Sequence, residues 1–435
     1  MTGPAESLTR GLTRLVRARD VQPEDRAHAE RFVRDWLGSF VAGRAAPTGR
    51  ILSAYGAEAR QLEGRVFLAA AFSHVTETDD LHRTSVTHPG CVVVPVALLL
   101  GAEQRAGGHA ALRATLAGYE VMTRIGEALG PAHYRTFHNT ATAGVFGAAA
   151  AAASLLDLDE DGWVWALGSA GTQAAGLWQF NEEGAMSKPL HAGHAAAAGL
   201  RAALLAARGF TGAERILEGE KGLFRALCPD ARPEAVLAEG SGWKLPETSM
   251  KPYPCCRHVH PAIDAALELR DVLGPNPGDP ASIQVESYPA ALDVTDRPDP
   301  RTPHEARFSM QYAVARTLLH GRPGLEAFEP DALEDSAVRT LLPHVAVRTS
   351  SDLAQAYPDR WGAAITVETG DGGRHRVLRE TATGDPDRPL DDDALDAKVD
   401  GLFRWAEFDE ARARALLDAC RALTTDGPIF ALDLE

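Results

Sequence analysis

Apolar residues along the first ~240 positions recur at three- and four-residue intervals, the period of helices with one buried face. Phe32, Val33, Trp36, Leu37, Phe40 and Val41 share such a face, and Leu112, Leu116, Tyr119 and Ile125 suggest another helix. Thr140 to Leu156 carries no charge and is mostly alanine and glycine, which predicts a helix buried on most sides rather than a bilayer span. The acidic run from Asp157 to Asp161 marks a helix start before Trp163, Trp165 and Leu167. Residues 191–208 are strongly helix-forming, and Gly209 is placed to cap their end. Near residue 245 the texture changes. LPETSMKPYPCC holds three prolines and reads as a linker or crossing strand, and Ser282 to Tyr288 alternates as a strand does. Helical spacing returns over Phe308 to His320. Residues 343–349, 364–369 and 375–379 are strand-like, with Asp371-Gly372-Gly373 as a hairpin turn. Residues 390–424 are helical again. The pattern predicts a mainly α chain with an α+β part: a helical domain over 1–248 completed by 391–435, and an α+β domain over 249–390.

Length agrees with this division, since 435 residues exceed the roughly 250–300 at which a single core stops growing. A formal net charge of −16 argues against nucleic acid or an anionic membrane as partner, but leaves room for an acidic small molecule held by a few local cations. The five cysteines are odd in number, and Cys255 and Cys256 are adjacent without CxxC spacing. This disfavours a disulfide framework, an iron–sulfur cluster and structural zinc. Thiols in a reducing cytoplasm are the expectation, and the N-terminal MTGPAESLTRGL shows no signal pattern. GxGxxG after a strand, the P-loop, GxSxG and HExxH are all missing, so nicotinamide, nucleotide, serine-hydrolase and zincin chemistry lose their usual signatures. No cofactor and no metal are expected.

Polar clusters in apolar helical sequence remain to be explained. TETDDLHRTSVTHPG holds Asp79, Asp80, His82 and His88 before the run CVVVPVALLL. A helix start accounts for the carboxylates and for Pro89, but less well for His88. His138 leads into the alanine helix, where a capping loop is the plain alternative. Lys188 stands just before a predicted helix N-terminus, where a cation is unfavourable unless it binds something. His191 and His194 have metal-ligand spacing without a visible third ligand, the basis of a weaker metal-hydrolase reading. Lys251, Arg257 and His258 concentrate positive charge at the proposed domain junction. Tyr312 sits on a half-apolar helix, a pattern more common in cores than in active sites. Together these residues supply what proton transfer beside a carboxylate requires: a base or acid at carbon, and cations for the enolate-like charge.

These stretches resemble the MmgE/PrpD family. ETDDLH followed by THPG is similar to the family's DFDDTH…THPG, and FHNTATAGVFGAAAAAA to its second histidine loop and alanine helix. GAMSKPLHAGHAAAAGLRAALLAARGFTGAERILEG, KPYPCCRHVHPAIDA and HEARFSMQYAVA follow in the family's order, from about residue 10 to 425. The resemblance implies an all-helical domain with a smaller α+β lid domain, a homodimer, and an active site between the two domains. It implies His88, His138, Lys188, Lys251 and Tyr312 as site residues, with Asp79 and Asp80 close by. His88 would move the proton at carbon, the lysines would hold carboxylates, and Tyr312 would donate a hydrogen bond or a proton. Asp79, His82, Arg257 and His258 complete the substrate-binding candidates. Leu81 and Glu77 depart from the family's threonine and aspartate, which points away from citrate-like acids. A hydro-lyase acting on a β-hydroxy acid is the leading expectation. An isomerase or decarboxylase using the same residues is the alternative, and a non-catalytic binding protein a third.

Overall fold

The computed structural model describes residues 6–56, 58–240, 242–274 and 280–432. The chain forms two compact units: Met1–Val75, Asp79–Ser249 and Asp396–Glu435 make the first, and Thr76–Thr78 with Met250–Leu395 the second. The fold is mainly α with a smaller α+β part.

The first unit is helical. Its principal elements are α1 (Pro23–Ala45), α2 (Leu62–Ser73), β1 (Leu81–His82), α3 (Pro89–Glu103), α4 (Gly108–Ala128), α5 (Asn139–Leu155), α6 (Glu160–Gly171), α7 (Ser187–Ala206) and β2 (Thr248–Ser249). Asn139 through Ala153 are all buried, as the absence of charge over 140–156 predicted. A helix buried on every side needs small neighbours on several faces, and the sequence supplies them. At Gly199 of α7 an added Cβ would lie 2.4 Å from the Val145 carbonyl oxygen, and at Gly147 of α5 one would lie 2.9 Å from the Gly118 carbonyl of α4. These glycines let α4, α5 and α7 approach backbone to backbone. β1 and β2 pair antiparallel, Leu81 with Ser249 and His82 with Thr248.

The second unit packs α8 (His260–Leu273) and α9 (Met310–His320) with a four-stranded sheet of β3 (Pro280–Ser287), β4 (Val345–Thr349), β5 (Ala363–Thr369) and β6 (Arg374–Arg379). The order is β4-β3-β5-β6, with β3 parallel to β4 and antiparallel to β5. Gly372, at φ 89°, makes the β5–β6 turn where a hairpin was expected. The last helical stretch is two helices rather than one, α10 (Asp392–Trp405) and α11 (Glu410–Ala422), parted at Glu407, which has φ 52°. No helix among the described residues is long and apolar enough to cross a membrane.

Candidate active site

Three helices of the first unit begin with a chemically capable residue. His88 is the N-cap of α3, followed by Pro89, whose missing N–H costs nothing there. His138 is the N-cap of α5. Lys188 lies in the first turn of α7, one residue inside the helix rather than just before it. All three are buried. The chain reaches His88 through a tight return: His82 N–H donates to the Thr87 carbonyl (2.8 Å) and Thr87 N–H to the His82 carbonyl (3.3 Å). His88 N–H then donates to Thr140 Oγ1 on α5 (3.1 Å), which ties the two helix starts together.

The imidazoles form a cluster. The His88 and His138 rings are 6.3 Å apart between centroids, and His74, the C-cap of α2, sits against both. His74 stacks on His138 at 5.5 Å and meets His88 edge-on at 4.9 Å. Trp178 lies 4.7 Å from His138, and His191 Nδ1 lies 3.3 Å from His138 Nδ1.

Partners fix the tautomers. His88 Nδ1 is 2.6 Å from the Asp80 carbonyl, which only accepts, so Nδ1 carries the proton and Nε2 is the basic nitrogen of the neutral ring. Asp79 Oδ2 is 3.2 Å from the same Nδ1 and 2.6 Å from His74 Nδ1. Burial works to raise the Asp79 carboxyl, yet the two imidazoles hold it well below the usual carboxylate range. Burial lowers His74 to about 4 and holds His138 well below the usual imidazole range, with Lys188 adding to both. His191 falls to about 4, from burial and then His194 and Lys188. Near neutral pH these three rings are uncharged.

Asp80 is a brace for the start of α3. The Tyr119 hydroxyl donates to its Oδ2 (2.6 Å) and Gly90 N–H to its Oδ1 (3.0 Å). Burial pushes its carboxyl up to about 8 against the Tyr119 hydrogen bond. His82 is likewise engaged in its loop, with Nδ1 2.9 Å from Ser85 Oγ.

The remaining candidates lie in the α+β unit. Lys251 Nζ donates to Glu77 Oε2 at 3.1 Å, both residues being buried. Arg257 pairs with buried Asp385. His258 stacks on Trp361 at 4.3 Å, with Nδ1 2.6 Å from the Tyr288 hydroxyl, and burial lowers it to about 3. Tyr312 donates its hydroxyl to the Ala327 carbonyl at 2.6 Å, a bond made within its own unit.

Two groups bring potential metal-ligand atoms within 4.8 Å of one another, His74/Asp79/Cys91 and His82/Glu127/Glu247. In the first, burial keeps Cys91 a thiol and the imidazole donor is already given to the carboxylate. In the second, the Lys244 ammonium sits 3.2 Å from Glu127 and 3.0 Å from Glu247. Both read as hydrogen-bonded clusters. His191 and His194 diverge, since His194 Nε2 turns to the Gln173 carbonyl (3.1 Å). Sequence reasoning missed His74, Tyr119 and Trp178. His74 is a single polar residue at a helix C-terminus, and only its place five positions before Asp79 hints at a role.

Residues 13–236 match the MmgE/PrpD N-terminal domain, and residues 253–423 the MmgE/PrpD C-terminal domain. A cis-aconitate decarboxylase-like protein of Aspergillus oryzae is 29% identical over 401 residues, covering 85% of this chain and 80% of that protein. Human cis-aconitate decarboxylase is 29% identical over 345 residues, 76% of this chain and 70% of its own. The Aspergillus terreus enzyme of that name is 32% identical over 216 residues, 46% of this chain and 44% of its own.

Proposed function

We propose that this chain, which belongs to the MmgE/PrpD family, is a cofactor-independent lyase that releases carbon dioxide from a small unsaturated di- or tricarboxylic acid. His88 handles the proton at carbon and Lys188 holds a substrate carboxylate. The observation that carries this reading is the setting of His88, whose Nδ1 is committed to the Asp80 carbonyl and the Asp79 carboxylate. Proton exchange with a substrate is thereby left to Nε2. The relatives named as cis-aconitate decarboxylases favour loss of carbon dioxide over the loss of water that the motifs alone put first.

One substrate carboxylate pairs with Lys188, while the starts of α3, α5 and α7 add partial positive charge. The C–C bond to a second carboxylate breaks, and carbon dioxide leaves. The electron pair left behind forms a new C=C bond to the adjacent carbon, and the pair of the former C=C bond moves to its far carbon, which takes the proton from His88 Nε2. Water restores that proton, so one C–C bond is exchanged for one C–H bond without oxidation or reduction. Asp79 stabilises the imidazolium that serves as donor. Lys251 is proposed as a second carboxylate anchor. Its pairing with Glu77 favours an acid with fewer negative charges than a citrate-type tricarboxylate.

The test is a screen of small di- and tricarboxylic acids in deuterated water, with carbon dioxide measured in the headspace and label followed by NMR. Carbon dioxide with one deuterium at product carbon is the expected result. Water loss without carbon dioxide makes the chain a hydro-lyase, and exchange without net change an isomerase. Inertness toward every acid rejects the lyase reading.

A further inference from the structure

Neither the motifs nor the proposed reaction accounts for His74. Its ring is buried, Nδ1 faces Asp79 Oδ2 at 2.6 Å, and Nε2 meets no hydrogen-bonding partner among the described residues. A buried polar atom without a partner is costly, and a hydrocarbon side chain would fill the same space without that cost. What imidazole supplies and hydrocarbon cannot is one N–H aimed at Asp79. The oxygen that receives it also faces His88 Nδ1, at 3.2 Å. We infer that His74 is a positioning residue, which by donating to Asp79 keeps that carboxylate oriented and ionised, divides its charge between two imidazoles and so sets the basicity of His88. The inference rests on His88 being the proton-transfer group of the proposed lyase, and adds the residue that tunes it.

The other titratable groups around the pair are Asp80, Cys91 on α3, His138 at the start of α5 and Lys188 on α7. Burial keeps Cys91 and His138 uncharged near neutral pH, and Asp80 titrates only near 8. Asp79 is thus an ionised carboxylate that His88 Nδ1 faces directly. Without the His74 donor, the carboxylate must draw on His88 alone. Proton uptake by the Asp79–His88 pair then moves to higher pH, whichever partner carries the proton. Loss of one charge-assisted hydrogen bond corresponds to roughly one to two pH units.

Three variants isolate the donor. His74→Asn keeps an N–H near the place of Nδ1, His74→Gln moves it outward toward the place of Nε2, and His74→Leu removes it. Protein carrying 15N-labelled histidine is titrated by two-dimensional NMR, with the His88 signals identified by their loss in His88→Gln. The pair's titration should move up by about one unit or more in His74→Leu and His74→Gln and stay close to native in His74→Asn. On an accepted substrate, the acid limb of kcat should follow the same order while KM changes little. An unmoved titration in Leu and Gln, or an equal shift in all three variants, overturns the inference. If His74→Leu fails to fold, the contrast between Asn and Gln decides alone. The NMR reading needs no substrate, so inertness toward every acid would defeat the lyase reading and leave this test standing.

Discussion

Replacing His74 by glutamine should make the protein less sensitive to mild acid. Burial holds this imidazole near 4 in the fold, whereas an unfolded histidine titrates near 6.5. The folded value lies below the unfolded one. Its stabilising contribution is therefore present above about pH 6.5 and is lost as pH falls through the folded value. At pH 5 the unfolded chain has bound almost one proton here that the fold refuses. Integrated from pH 7, the loss is roughly 2 kcal/mol at pH 5 and about 3 kcal/mol at pH 4. The neighbouring carboxyls do not oppose this difference, and the upward shift of the Asp79–His88 pair expected in His74→Gln acts in the same direction. Asp79, held low, gives stability that is lost progressively only below about pH 5, as an unfolded carboxyl protonates at about 3.9. Asp80, raised to about 8, has the opposite sign, its contribution growing as pH falls from 8, and it is present in both proteins. The assay is urea unfolding followed by tryptophan emission at pH 7 and pH 5. Native protein should lose about 2 kcal/mol more than His74→Gln between the two. Equal losses would refute the reasoning, because they would mean that the fold accepts a proton on His74 as readily as water does.

Four further outcomes follow from the site. His88→Ala should lower kcat by about 10²–10⁴-fold with a much smaller change in KM, read by steady-state kinetics on the substrate found in the screen. Lys188→Ala and Lys251→Ala should act mainly through KM, raising it roughly tenfold or more, as loss of a charge-assisted contact implies. Exhaustive treatment with EDTA should leave activity intact; loss restored by one specific metal would overturn the cofactor-independent reading. Light scattering at micromolar concentration should give the mass of a homodimer, as the family resemblance implies, and a monomer would count against that expectation.

The helical texture was legible because burial leaves a period in the sequence. Phe32, Val33, Trp36, Leu37, Phe40 and Val41 recur with the helical period, although α1 proves buried on every side from Phe32 to Gly43, and the uncharged stretch 140–156 marks a helix with no outer face. The β1–β2 pairing was not legible, since two-residue strands are too short to alternate. The break between α10 and α11 was hidden because Glu407 adopts a left-handed turn without glycine to announce it. At the site, His88 and Lys188 stood out as polar residues at the starts of apolar helices, where ordinary capping explains little, and His138 stood beside them with a capping loop as the open alternative. His74 did not, because a lone histidine at a helix C-terminus is what the helix dipole already favours. Tyr312 shows the reverse. Helix pattern alone favoured a core role, the motif favoured chemistry, and the structure has its hydroxyl donate to the Ala327 carbonyl.

The histidine cluster also explains how so acidic a chain handles an acid. With His74, His138 and His191 kept neutral by burial, Asp79 and Lys188 are the charged members of this cluster that act on its buried rings near neutral pH. The overall charge of −16 is spread over the whole chain and is screened beyond about 8–10 Å at ordinary salt. The starts of α3, α5 and α7 act within the first turn, where screening is weak and the unpaired N–H groups are fixed in place. In the proposed reaction a carboxylate arriving there meets the Lys188 ammonium and several immobile partial charges. The imidazole that gives or takes the proton in that reaction, His88, faces the buried Asp79 carboxylate through Nδ1. Charge selection and proton transfer thus rest on different atoms, which is why substitutions at Lys188 and His88 should separate cleanly into effects on KM and on kcat.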